Sequence, residues 1–159
     1  MIFVTVGSML PFERLIKAMD QWASQNSEPV LAQIGDGRFL PSHMRWVRSL
    51  DRDDYRRSVD ESRVIVAHAG IGTYLTALEQ KRPLIVLPRQ ALFGEHTNDH
   101  QLHTVGWLSK KPGVQIAADE HDLPTVIAKS DGCQVSRPDF IPVAPKELTE
   151  RVRKFIVEP

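Results

Sequence analysis

The chain has 159 residues, with 20 basic and 20 acidic side chains and a formal net charge of zero. That length suits about one domain burying roughly two-thirds of its unfolded surface, and the charge balance argues against a global electrostatic grip on nucleic acid or an anionic membrane. The single cysteine, Cys133, excludes an internal disulfide, and the opening Met1-Ile2-Phe3-Val4 has neither a basic segment nor a long apolar one, so the chain reads as cytoplasmic.

In chain order, strands alternate with helices, the pattern of a parallel sheet covered on both faces. Ile2 to Val6 reads as a strand ending at Gly7. Phe12 to Ala23 carries Leu15, Ile16, Met19, Trp22 and Ala23 at helical spacing, which predicts an amphipathic helix returning across the sheet. Val30 to Ile34 is the next strand, closed by Gly35-Asp36-Gly37, and Met44 to Val47 is a short one. Asp53 to Glu61 reads as a helix, and Arg63 to Ala67 as a strand buried on both faces. A helix follows His68-Ala69-Gly70-Ile71-Gly72-Thr73, then a buried strand at Leu84 to Leu87 and a helical segment at Asn98 to Leu108. Val114 to Ala117 is a short strand and Leu123 to Lys129 a helix; Pro138, Pro142 and Pro145 mark an irregular connection. The last helix, Lys146 to Val157, has Leu148, Val152, Phe155 and Ile156 on one face. With no repeat or interdomain linker, residues 1–159 are expected to form one doubly wound, Rossmann-like α/β domain. No apolar run approaches the roughly 20 residues that span a bilayer, so any membrane association is borrowed.

In such a sheet a ligand binds beyond the carboxyl ends of the strands, where the strand order reverses. Three loops are expected to converge there: Gly7 to Pro11, His68 to Thr73, and Pro88 to Gln101. Gly70 and Gly72 permit close backbone approach where a helix begins, so free amides and the positive helix end face an anion, with the Thr73 hydroxyl as a further donor. A phosphate or diphosphate suits that turn. Two alternatives stand beside it: a tight strand-to-helix connection with no ligand, and an NADP site, for which Leu75 replaces the third glycine and Arg89 replaces the usual acid.

The third loop brings His96, His100 and His103 to i, i+4 and i+7 beside Asp99, a spacing compatible with a metal site but without the glutamate of the zinc-protease pattern. A solvated helix start capped by Asn98 or Asp99 is the plainer reading. Recognition of sugar hydroxyls fits Glu95, Asn98, Asp99, His100 and Gln101 better, because they supply directional donors and acceptors on one segment.

Together, His68-Ala69-Gly70-Ile71-Gly72-Thr73, Pro83, the strand end at Pro88-Arg89 and the Glu95-to-Gln101 segment resemble the C-terminal half of GT-B glycosyltransferases. The opening Met1-to-Ser8 stretch extends the resemblance over nearly the whole chain, and the nearest likeness is to small donor-binding subunits of split transferases in bacterial exopolysaccharide synthesis, relatives of the eukaryotic subunit that helps add the second N-acetylglucosamine to dolichol diphosphate.

The resemblance implies that Gly70, Gly72 and Thr73 hold the diphosphate of a UDP-sugar, that Asp99, His100 and Gln101 approach the sugar, and that Gly7, Ser8, His68, Arg89, Glu95 and Asn98 belong to the donor site. His68 orients the turn or touches the donor, or is a hydrogen-bonded structural histidine; Arg89 neutralises phosphate or pairs with an acid. Many relatives place a ribose-binding glutamate where this chain has Thr76; Glu79, three residues later, serves instead or is a solvated helix acid. The resemblance further implies inverting, metal-independent transfer to a polyprenyl-diphosphate-linked acceptor. The first strand opens at residue 2, leaving no room for an acceptor-binding lobe, so a membrane-associated partner subunit is expected to supply it and recruit the chain to the cytoplasmic face. Met9, Leu10 and Phe12 are candidates for the partner contact, or equally turn inward to the core. A non-catalytic subunit that enhances a partner transferase is the alternative. No catalytic base is assigned.

Overall fold

The computed structural model describes residues 1–98, 100–133, 135, 144 and 146–157. Six parallel strands, β1 (Ile2–Thr5), β2 (Val30–Gln33), β3 (Arg45–Val47), β4 (Val64–Ala67), β5 (Leu84–Val86) and β6 (Val114–Ile116), form one sheet in the order β3-β2-β1-β4-β5-β6. The chain winds outward from β1 to β3, returns to β4 beside β1, and winds outward again. The reversal therefore lies between β1 and β4.

Among the described residues there are six α-helices: α1 (Glu13–Ser24), α2 (Arg52–Glu61), α3 (Ile71–Glu79), α4 (His100–Leu108) and α5 (Leu123–Lys129), which connect and cover the sheet, and α6 (Lys146–Val157). Alternation along the strands divides the core. Ile2 and Val4 of β1 with Val64 and Val66 of β4 pack under Leu15, Ile16 and Met19 of α1 and Leu123 and Ile127 of α5. Phe3, Ile65 and Ala67 face Val59 of α2, Tyr74, Ala77 and Leu78 of α3 and Leu108 of α4. Both sheet faces are thus dry, which explains why β1 and β4 read as unbroken apolar runs.

The expected elements are all present, most of them a residue or two shorter at an end. The helical spacing in α1 buries Leu15, Ile16, Met19 and Ala23 and half-buries Trp22. The helix expected from Asn98 begins at His100, with Asp99 outside the described residues, as are Pro138, Pro142 and Pro145. α6 spans Lys146–Val157 as expected, yet none of its residues is buried, and its apolar stripe stands in solvent. Among the described residues no helix is long and apolar enough to cross a membrane.

Candidate functional site

A cleft of about 730 Å³ opens at the carboxyl end of the sheet, over the reversal between β1 and β4. That volume suits a nucleotide-sized ligand. Its floor comes from the turns after β1 and β4. Gly7 adopts φ +77°, a left-handed conformation that favours glycine, and its N–H donates to Thr5 Oγ1 (3.2 Å), which itself donates to Gln33 Oε1 (2.9 Å).

The His68 ring lies between Gly7 and Gly70. A Cβ added to Gly7 would lie 2.6 Å from His68 Cε1, and one on Gly70 would overlap Nε2. These two glycines are required first by the imidazole. Its Nδ1 is buried without a partner among the described residues, and burial, reinforced by the Arg89 and His96 charges, lowers its pKa from 6.5 to about 4, so the ring is neutral.

Gly70 is also the N-cap of α3, and its own N–H is occupied by the His68 carbonyl (2.8 Å). It offers no side-chain cap. The first intrahelical bond runs from Tyr74 N–H to Gly70 O (3.1 Å), which leaves the amides of Ile71, Gly72 and Thr73 without intrahelical partners at the cleft wall. Nothing lies within 4 Å of a Cβ built on Gly72, so ligand atoms can approach there. By contrast, α2 on the facing wall is capped by Asp51, whose Oδ1 accepts from the amides of Asp53 (3.0 Å) and Asp54 (2.8 Å). Arg52 and Arg56 bring positive charge to that wall, and Thr76 lines the cleft one turn into α3. An uncapped helix start opposite two guanidinium groups favours an anion.

Several residues expected at the ligand take other positions. Arg89 is 2% exposed: Nη1 donates to the carbonyls of Pro11 (2.6 Å) and Glu95 (3.2 Å), and Nη2 to those of Val6 (2.8 Å) and Leu10 (2.5 Å). It lines the cleft with its guanidinium engaged by loop carbonyls and not by an acid, and burial lowers its pKa to about 10. Glu95 faces away from the cleft, into a second cavity of about 690 Å³ bounded by α1 and the Glu120–Pro124 segment. There Arg14 holds it bidentately (Nε–Oε1 2.8 Å, Nη2–Oε2 2.8 Å) while also donating to Glu120 (2.8 Å) and the Pro88 carbonyl (2.9 Å).

Phe12 is 1% exposed and lies under the Arg89 guanidinium (4.7 Å to the ring centroid), so it is core and not a partner contact; Met9 and Leu10 remain exposed. Glu79 pairs with Arg56 (3.6 Å) and is not among the residues lining the cleft, although Arg56 is. Gln101 lines the cleft, but its Oε1 accepts the amides of Ala69 (3.2 Å) and Arg89 (3.1 Å). Ser8 lines the rim, and Asn98 is exposed two residues before α4. Asp99 lies outside the described residues, and α4 begins at His100. His96 consequently precedes that helix and shares no helical face with His103. Among the described residues no three His, Cys, Asp or Glu side chains form a metal-binding group.

The wall formed by Leu50, Asp51, Arg52, Tyr55 and Arg56 was not singled out from sequence. The Asp51 cap ahead of Asp53 and Asp54 was a readable signal for a helix start at the carboxyl end of a strand. Tyr55 stands edge-on to Phe3 (5.3 Å between centroids) with its hydroxyl toward Thr73 and Thr5, and burial raises its pKa.

Residues 1–131 match the glycosyltransferase family 28 C-terminal domain. The chain belongs to this family. Among its relatives is the UDP-N-acetylglucosamine transferase subunit ALG13 of Homo sapiens, 28% identical over 120 residues that make up 67% of this chain and 10% of that protein. The subunit of the same name from Yarrowia lipolytica is 25% identical over 136 residues, 75% of this chain and 65% of that one. The family 28 domain described here therefore spans about a tenth of the human relative and 65% of the Yarrowia relative. A solution structure of ALG13 matches its fold with TM-score 0.57 at 16% identity, covering 95% of this chain and 93% of that one. Spinosyn forosaminyltransferase SpnP matches with TM-score 0.62 at 17% identity over 98% of this chain and 44% of that one. The fold is the Rossmann-like lobe of GT-B proteins.

Proposed function

We propose that this family 28 domain binds a UDP-sugar and acts as the donor subunit of a two-component, inverting glycosyltransferase. The observation that carries the reading is the uncapped start of α3 at the sheet's switch point, facing Arg52 and Arg56 across the cleft. The amides of Ile71, Gly72 and Thr73 would receive the diphosphate and stabilise its charge as the glycosidic bond to the sugar breaks, a role that needs no metal. The names of the ALG13 relatives, UDP-N-acetylglucosamine transferase subunits, support a UDP-linked donor. On this reading Thr73 adds a hydroxyl near the diphosphate, and the assignment of Asn98, Asp99 and His100 to the sugar rests on the motif alone.

The acceptor is a polyprenyl-diphosphate-linked sugar of exopolysaccharide or related glycan synthesis, delivered by a membrane-associated partner that recruits this chain to the cytoplasmic face. Exposed apolar side chains support a covering partner: Met9 and Leu10 beside the cleft, Leu92 and Phe93 on the neighbouring loop, and the stripe on α6. Positioning the acceptor hydroxyl supplies several kcal/mol of barrier reduction, on the order of 7 or more, and falls to that partner. Calorimetry with UDP, UDP-sugars and NADP, followed by a transfer assay with partner and lipid-linked acceptor, tests the proposal. UDP binding with transfer only when the partner is added is the expected result. A chain that binds no uridine nucleotide but still stimulates the partner is an enhancer; preferential NADP binding refutes the donor assignment.

A further inference from the structure

Gln101 occupies a motif position where sugar recognition was expected, yet it is 4% exposed and its side-chain oxygen already has two backbone donors. Ala69 N–H reaches Oε1 at 3.2 Å and Arg89 N–H at 3.1 Å. Ala69 immediately precedes Gly70, the N-cap of α3, and Arg89 follows β5, while Gln101 itself lies in the first turn of α4. One carbonyl oxygen thus joins the beginnings of two helices to the end of a strand. Both amides are in residues at most 4% exposed, so water cannot readily replace that oxygen.

The connection continues through Arg89, whose guanidinium holds carbonyls on the Val6–Pro11 loop across the cleft floor. Displacing Gln101 Oε1 would therefore release the turn that aims the α3 amides and loosen the anchor of the opposite loop. We infer that Gln101 is a positioning residue for the diphosphate cradle, acting through the backbones of Ala69 and Arg89 by way of its side-chain oxygen. Its effect on the donor rests on the nucleotide-binding reading above; the staple itself does not.

Two measurements separate them. In the unmodified chain, nuclear magnetic resonance should detect couplings across the hydrogen bonds from the Ala69 and Arg89 amides to the Gln101 side-chain carbonyl. In Gln101→Ala, hydrogen exchange at those two amides should accelerate by at least about tenfold while exchange in β1 and β4 stays slow; Gln101→Glu, which keeps the acceptor, should restore their protection. UDP and UDP-N-acetylglucosamine should both weaken in Gln101→Ala, by factors agreeing within about threefold. Absent couplings, or unchanged exchange at both amides, overturn the staple. A loss confined to the UDP-sugar overturns the positioning role in favour of sugar recognition. If the unmodified chain binds no nucleotide, the donor reading fails while the couplings still decide the staple, including the case in which Gln101→Ala does not fold.

Discussion

Replacing Gly72 with valine tests the diphosphate cradle with little disturbance of the protein. A Cβ at Gly72 meets no heavy atom within 4 Å, and the residue lies in the first turn of α3 at the cleft wall. Glycine and valine differ in helix propensity by a few tenths of a kcal/mol, in valine's favour, so the unfolding midpoint should scarcely move. A diphosphate, however, must come to within about 3 Å of an amide nitrogen to hydrogen-bond it. An isopropyl group beside the amides of Ile71, Gly72 and Thr73 holds it back. Losing one charge-assisted hydrogen bond costs about 1.5–3 kcal/mol, which corresponds to roughly a ten- to hundredfold weaker UDP affinity. Calorimetry on a variant with an unchanged circular-dichroism spectrum measures it. Unchanged UDP affinity would remove α3 from the site. Gly70→Ala is the control for geometry: its Cβ overlaps the His68 ring, so stability should fall too, by about 1–3 kcal/mol.

Three further outcomes follow from specific contacts. Because burial lowers the His68 pKa from 6.5 to about 4, the unfolded chain takes a proton between those values that the folded chain does not; its stabilisation is complete above pH 6.5 and is lost on acidification toward pH 4. The loss is on the order of 3 kcal/mol, and His68→Gln should flatten the urea-unfolding profile over that window; parallel profiles count against it. Glu95→Ala leaves the nearly buried Arg14 guanidinium short of its bidentate partner and should cost about 3 kcal/mol in urea unfolding, whereas a loss below about 1 kcal/mol would place the pair among ordinary surface bridges. Met9→Asp with Leu10→Asp should weaken capture of the proposed partner subunit in co-purification; unaltered capture excludes that loop from the interface.

The fold was largely legible because its signals are periodic. Leu15, Ile16 and Met19 repeat at helical spacing, and β1 and β4 are continuously apolar because both sheet faces are covered. The place of the cleft was legible as well: Gly7 and the Gly70–Thr73 turn follow β1 and β4, the strands that flank the reversal. Individual side-chain directions were less accessible. Phe12 beside Met9 and Leu10 looks like part of one apolar loop, but it turns inward beneath Arg89. Arg89 and Glu95 are charged residues in a suggestive segment, and only the folded loops reveal that backbone carbonyls and Arg14 occupy them. Periodicity reports which face of an element is buried; it contains no record of which loop carbonyl lacks a donor.

That division has a physical reason. Backbone amides can hold a charged ligand only if no side chain caps them, so the start of α3 gives up the stabilisation that Asp51 provides to α2. An uncapped turn flanked by glycines would wander, and amides that wander cannot stabilise developing charge without the cost of reordering. The restraint must come from atoms outside the ligand's reach. Gln101 Oε1 holds Ala69 just before the turn, the His68 ring fills the space between the two glycines, and Arg89 holds the facing loop by its carbonyls. Residues that a motif would assign to the ligand are thereby engaged in holding the backbone, and under the donor-site proposal it is the backbone that meets the ligand.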